Sequence, residues 1–270
     1  KEHKHYALES VLKIAALKPK TLQEKRDIAS VCFLFLSGMR ITAFTSLPIE
    51  CVDIANGEVK QLPSMGVMTK NRKAAITYLL QVPELIKIVT EWDDLIRREL
   101  LPSDKWYAYL EYGQNKLMKN NNAKRFRGQN FRDRLKELCD LAGLPYLSPH
   151  KIRHGHVVYG LKNVKDMEGL KAVSQNVMHE SIQITDAVYG GISGADTKRV
   201  IAGIGKAAPA GNETTAAPAV DLQSFIAAMM NNPDAKKLIE SMNKPSPAAV
   251  ELVTGKGKPK AKKTKTKKGK

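Results

Sequence analysis

The 270-residue sequence predicts an α+β chain that is mainly helical, with a small antiparallel β-sheet in its first third. Two observations point there. Several segments between residues 21 and 160 carry helix start or stop signals around apolar residues at helical spacing, whereas β-rich text is confined to residues 64–80. No internal repeat is visible.

Thr21-Leu22-Gln23-Glu24 reads as a capping box, Thr21 at the N-cap and Glu24 at N3, because each side chain can close a backbone N–H that the first turn leaves open. Ile28, Val31, Cys32, Leu34, Phe35 and Leu36 continue this helix as a mostly buried rod. Ser37-Gly38 ends it, and Arg40 opens the next segment. Residues 64–69 and 74–80 are expected to be strands separated by a polar hairpin turn, Lys70-Asn71-Arg72-Lys73. Pro83 starts a helix through Leu100, with Ile86, Val89, Trp92 and Leu95 at helical spacing. Arg127 to Ala142 reads as an amphipathic helix that Gly143 ends. Ser148-Pro149 is expected to cap the following one, serine at N-cap and proline at N1 being a favoured start.

The character changes after residue 206. Residues 207–220, AAPAGNETTAAPAV, read as a linker. A short amphipathic helical segment is expected over 221–243, with Leu222, Phe225, Ile226, Met229 and Met230 on one face and a break or restart at Pro233. Residues 244–270 are a Lys-rich tail with too little apolar surface to order itself.

The apolar fraction of 43% supports a real core, while the net charge of +17 narrows the partners. Nine lysines and no acid fall within residues 256–270, so the remainder still carries +8 and a polyanion is the natural partner. The lysine arm would add salt-sensitive affinity without sequence information. Cys32, Cys51 and Cys139 show no C-x-x-C spacing and read as buried free thiols, which suggests a reducing compartment. No apolar run approaches the roughly 18–20 residues of a membrane span, and the Lys-rich start lacks the apolar region of a signal peptide. The first residue is lysine, so the chain reads as a fragment of something longer.

The chemistry concentrates in residues 148–191, SPHKIRHGHVVYGLKNVKDMEGLKAVSQNVMHESIQITDAVYGG. His150 and Arg153 stand one helical turn apart, followed by His179 and an isolated Tyr189; upstream, LSGMRITAFTSLPIECVDI adds Arg40 beside a glycine turn. Exchange at a phosphodiester needs a nucleophile that stores the bond energy and positive charge on the non-bridging oxygens. It also needs an acid for the leaving oxygen and a base for the nucleophile. Guanidinium suits the second role because its planar fork matches phosphate oxygens and stays charged. A zinc site from His150, His154 and His179 is disfavoured, since no cysteine or carboxylate joins them at ligand spacing. His154 and His156 read as packing residues or as supports for the residues around them.

These residues, in this order, resemble the signature of the tyrosine recombinases, the phage-integrase-like DNA strand-exchange enzymes. HKIRHGH is similar to that family's H-x-x-R-H segment, and VSQNVMHESIQITDAVYG is similar to its second-histidine and tyrosine box. The resemblance spans roughly residues 5 to 205 and implies a catalytic domain over residues 1–206. It implies a site of Arg40, Lys70, His150, Arg153, His179 and Tyr189, with Lys73 on the same turn as an alternative to Lys70. Tyr189 would attack a DNA phosphate and leave a 3′-phosphotyrosyl link. The arginines and His179 would stabilise the transition state, Lys70 would protonate the leaving 5′-oxygen, and His150 would assist proton transfer. The implied partner is double-stranded DNA, bound by a homo-oligomer that is a tetramer on DNA. No cofactor, metal, ATP or membrane is implied, and the implied setting is the cytoplasm or nucleoid of a bacterial or viral host cell. Relatives carry an N-terminal helical clamp domain; only about 20 residues precede the capping box here, so that domain is expected to be missing.

Two positions depart from the pattern. Ala43 stands where the family has an acid three residues after the first arginine, and Met178 stands where it has glycine before the second histidine. The first is expected to loosen Arg40 and the second only to alter packing. Two other classes stay open: a recombinase-derived DNA-binding protein without catalysis, for which Ala43 speaks, and a type IB topoisomerase, which shares the tyrosine chemistry.

Overall fold

The helix opened by the capping box is the axis of the fold. The computed structural model describes residues 4–111, 114–119, 127–164, 166–178 and 194–205. The expected linker, C-terminal helical segment and lysine tail lie outside the described residues, as do His179 and Tyr189. The described helices are α1 (Leu8–Ala15), α2 (Leu22–Ser37), α3 (Ile41–Thr45), α4 (Pro83–Glu99), α5 (Gly128–Leu141), α6 (His150–Lys162), α7 (Met167–Asn176) and α8 (Gly194–Gly203). The strands are β1 (Val52–Asp53), β2 (Glu58–Gln61) and β3 (Ala75–Tyr78), antiparallel in the order β1-β2-β3.

Local chemistry accounts for α2. The Thr21 hydroxyl accepts from the Glu24 N–H at 3.1 Å, and the Glu24 carboxylate reaches one residue past the cap to accept from the Lys20 N–H at 2.6 Å. The helix stops because Gly38 turns left-handed at φ +61°, its N–H closing on the Leu34 carbonyl. Every residue from Arg26 to Ser37 is buried, since α1, α4, α5 and α6 all pack around α2. The core beside it is aromatic: Phe33 and Trp106 rings lie 4.5 Å apart, and Phe44 touches Trp106, Tyr107 and Phe131. Charge in this core is held by close partners. Asp27, fully buried, accepts from Arg26 Nε at 2.9 Å and Arg134 Nε at 2.7 Å.

The strand expected over 64–69 does not form. β3 pairs instead with β2, in a register that sets Val59 against Thr77. Pro63 opens a single 3₁₀ turn, Pro63–Met65, which Gly66 closes at φ +83°; proline lacks a ladder donor and the left-handed glycine turns the chain away. Lys70 to Lys73 does lie in the β2–β3 connection, as a tight turn with Asn71 at φ +56° and Arg72 at φ +53°. α4 buries Leu85, Val89, Trp92 and Ile96, so two of the expected apolar positions, Ile86 and Leu95, are only half-buried at the edge of its face.

α6 starts as expected in its backbone, with Pro149 at φ −54° and the Ser148 carbonyl accepting from the Lys151 N–H, but the Ser148 hydroxyl makes no capping bond. Its buried residues include Arg153 and His156 as well as Ile152 and Gly155, so polar groups face inward. At Gly155 a Cβ would stand 1.8 Å from the Tyr6 carbonyl oxygen, because the segment before α1 crosses α6 in backbone contact. Tyr6, itself buried, fastens that segment: its hydroxyl accepts from the Leu147 N–H at 2.7 Å and lies 3.2 Å from Cys139 Sγ. All three cysteines are free and buried, and burial pushes the Cys32 thiol up to about 12. Among the described residues, no helix is long and apolar enough to cross a membrane, and no group of three or more His, Cys, Asp and Glu is placed to hold a metal ion.

Candidate active site

Three separate parts of the chain converge at the C-terminal end of α2. The Gly38 turn delivers Arg40 to the N-cap position of α3. The β2–β3 connection delivers Lys70, and the end of α7 delivers Met178. Arg40, Ala43, Gln61, Lys70 and Met178 line one cleft of about 340 Å³. Lys73, exposed on the same turn as Lys70, is not part of its lining. The Arg40 guanidinium makes no hydrogen bond or ion pair among the described residues, consistent with an alanine rather than a carboxylate at position 43.

Arg153 sits behind this cleft and is 4% exposed. Its Nη1 donates to the Gly38 carbonyl at 2.7 Å and its Nη2 donates to the Val177 carbonyl. One guanidinium thus ties the α2 end to the α7 end. Burial, and then the charge of Arg40, lowers its pKa to about 10, so it stays a cation at neutral pH. His150, the first residue of α6, has its pKa lowered by partial desolvation and then by the charges of Arg153, Lys151 and Arg40. That direction keeps the imidazole neutral and able to accept a proton. Its ring meets His154 edge-on at 4.6 Å.

His156 is fully buried and serves the turn that precedes Arg40. Its Nδ1 donates to the Phe35 carbonyl at 2.7 Å, one of the carbonyls that the end of α2 leaves open. A Cβ on Gly38 would stand 2.7 Å from His156 Cδ2 and 2.8 Å from Val177 Cγ1, so only glycine fits beside the ring. His156 thus supports the turn that carries Arg40, as one of its two expected roles.

Of the six expected site residues, Arg40 and Lys70 share the cleft, and Arg153 and His150 lie close enough to feel Arg40's charge. His179 and Tyr189 fall outside the described residues. The departure at Met178 reaches beyond packing: its φ is +54°, a left-handed conformation that a glycine adopts without strain. Asn176, Thr77 and Gln61, a buried polar chain that ends at the cleft wall in Gln61, carried no sequence signal because their partners are far apart in the chain.

Residues 6–192 match the model of the phage integrase family. The chain is 28% identical over 168 residues to the tyrosine recombinase XerC of Herpetosiphon aurantiacus, covering 62% of this chain and 48% of that protein. It is 27% identical over 172 residues to XerC of Roseiflexus castenholzii, covering 63% and 48%. The chain therefore spans about half the length of the curated relatives it matches. Among solved structures it shares the fold of an integrase from mycobacterium phage Brujita, with a TM-score of 0.50 and 17% identity over 80% of this chain and 61% of that one. A helical body around α2, a three-stranded sheet carrying a cleft lysine, and a match over more than half the sequence lead to one conclusion: the chain belongs to the phage integrase family.

Proposed function

We propose that this chain is the catalytic part of a site-specific DNA recombinase or integrase that cleaves and rejoins strands through a 3′-phosphotyrosyl link to Tyr189. Arg40 holds the non-bridging oxygens of the scissile phosphate, joined by His179, while Arg153 adds its positive charge from behind the cleft and braces the turns that carry them. Lys70 protonates the leaving 5′-oxygen, and His150, kept neutral, takes the tyrosine proton. The P–O bond to the leaving strand breaks as the bond to the phenol oxygen forms, so the bond energy stays in the adduct and neither ATP nor a metal is required. Attack by the 5′-hydroxyl of a second strand reverses the step; a full exchange engages two DNA sites and four protomers.

The observation that carries this reading is Arg40. Its guanidinium stands on the cleft wall with Lys70 and makes no hydrogen bond or ion pair among the described residues. Such a planar cation is suited to a phosphate, whose oxygens match its fork. Ala43, on the same wall, favours a second reading, DNA binding without catalysis, because no carboxylate there orients the arginine. Covalent trapping decides between them. The protein and its Tyr189→Phe variant are incubated in EDTA with nicked suicide duplexes tiled from DNA flanking its own gene. An SDS-resistant adduct that depends on Tyr189 is the expected result; DNA binding with no adduct would establish the second reading.

A further inference from the structure

Asn176, the last residue of α7, is 1% exposed, and its side chain behaves as one more strand residue. Its Oδ1 accepts from the Tyr78 N–H at 2.7 Å, and its Nδ2 donates to the Tyr78 carbonyl at 2.9 Å. β3 is an edge strand, so without this amide both main-chain groups of Tyr78 would be buried and unpaired. The Asn176 carbonyl is held as well: it accepts from Thr77 Oγ1 at 3.2 Å, and Thr77 Oγ1 accepts from Gln61 Nε2 at 2.5 Å. Gln61 lines the cleft.

The two residues that follow touch the other parts of the site. The Val177 carbonyl receives Arg153, and the Val177 side chain packs where a Cβ on Gly38 would go. Met178 then turns left-handed and lines the cleft. One turn of chain, residues 176–178, is therefore bonded to β3, to α6 and to the end of α2.

We propose that Asn176 is a positioning residue: by fastening the end of α7 to the edge of β3, it sets where Met178 and the chain leading to residue 179 stand relative to Lys70 and Arg153. The inference rests on the catalytic reading above for its consequence, though not for the link itself. Loss of the amide would let the turn shift by a fraction of an ångström to an ångström, enough to slow a step that depends on alignment. It would leave Arg40, which is carried by the Gly38 turn, on the cleft wall.

Asn176→Asp tests this in the full chain. The carboxylate still accepts from the Tyr78 N–H but cannot donate to the Tyr78 carbonyl until it is protonated. At pH 8 the variant should cleave the suicide duplex about 30-fold more slowly than the wild type, with DNA affinity within about threefold. The deficit relative to wild type should shrink as the pH is lowered, because a protonated carboxyl donates again. Leu138→Ala, a core truncation on α5, controls for stability and should cleave normally where it is folded. Amide exchange provides a readout besides activity: the Tyr78 N–H and residues 176–178 should exchange faster in Asn176→Asp than in Leu138→Ala. Equal slowing of cleavage in the two variants, or undiminished protection at 176–178 in Asn176→Asp, would overturn the proposal. If the wild type forms no adduct, the catalytic reading fails, and exchange alone decides the link. Should Asn176→Asp not fold, Asn176→Gln keeps the amide but displaces the turn by a methylene; cleavage by it at the wild-type rate would overturn the proposal.

Discussion

Replacing His156 with glutamine should flatten the acid limb of the protein's stability curve. The ring is fully buried, and its Nδ1 must carry the proton because it faces the Phe35 carbonyl at 2.7 Å. Nε2 is then bare and finds no hydrogen-bond partner. Burial drives the pKa from 6.5 down to about 4; the bond to the Phe35 carbonyl opposes this, and the neighbouring charge of Arg153 adds to it. A depressed histidine pKa means that the unfolded chain takes up a proton below pH 6.5 while the folded chain does not. Stability from this residue is thus complete above pH 6.5 and is lost progressively as the pH falls toward 4. The full span amounts to about 3 kcal/mol. Glutamine can still donate to the Phe35 carbonyl but does not titrate. Urea unfolding of both proteins at pH 7.5, 6, 5 and 4 isolates the difference, because carboxylates and His150 contribute to both curves alike. The wild type should lose about 3 kcal/mol more than His156→Gln between pH 7.5 and 4. Parallel curves would refute a neutral, buried His156 and the C-terminal cap that depends on it.

Two substitutions test the turns on either side of Arg153. Gly38→Ala places a methyl 2.7 Å from His156 Cδ2 in a left-handed backbone, so unfolding measurements should show a loss of about 2–5 kcal/mol, and the alanine should cost less in a His156→Ala background. Met178→Gly relieves a φ of +54° and should gain about 1 kcal/mol, a rise in melting temperature of about 2–4 °C by calorimetry. A melting temperature unchanged or lowered in Met178→Gly would show that the methionine side chain stabilises the turn more than its backbone strains it.

What could be read from the chain was read where cause and effect lie close together. The Thr21–Glu24 cap, the apolar run of α2 and the Gly38 stop all fall within 18 residues, and local hydrogen bonding and burial determine each of them. Strand placement is instructive: the strand expected at 64–69 does not form, and β1 and β2 lie outside the stretch that reads as β-rich. Residues 64–69 have strand-like composition, yet Pro63 and Gly66 turn that stretch into a connection, and β3 takes β2 as its partner. Composition reports a preference for extended backbone, not which strand will supply the partner.

The site divides the same way. Ordered motifs nominated Arg40, Lys70, His150 and Arg153, because a functional pattern is written in residue types. Only the fold decided that Lys70 rather than Lys73 lines the cleft and that Arg153 bridges two helix ends through the Gly38 and Val177 carbonyls. Asn176 left no trace in the sequence, since its amide pairs with a backbone 98 residues away, and any side chain may be opposite any main chain until the chain folds. Helix identity, caps and the ordered residues that carry the family resemblance were properties of the sequence by itself. Burial, the neutral state of His156 and the convergence on one cleft belong to the tertiary structure, because desolvation and long-range hydrogen bonds exist only once distant segments have excluded water between them.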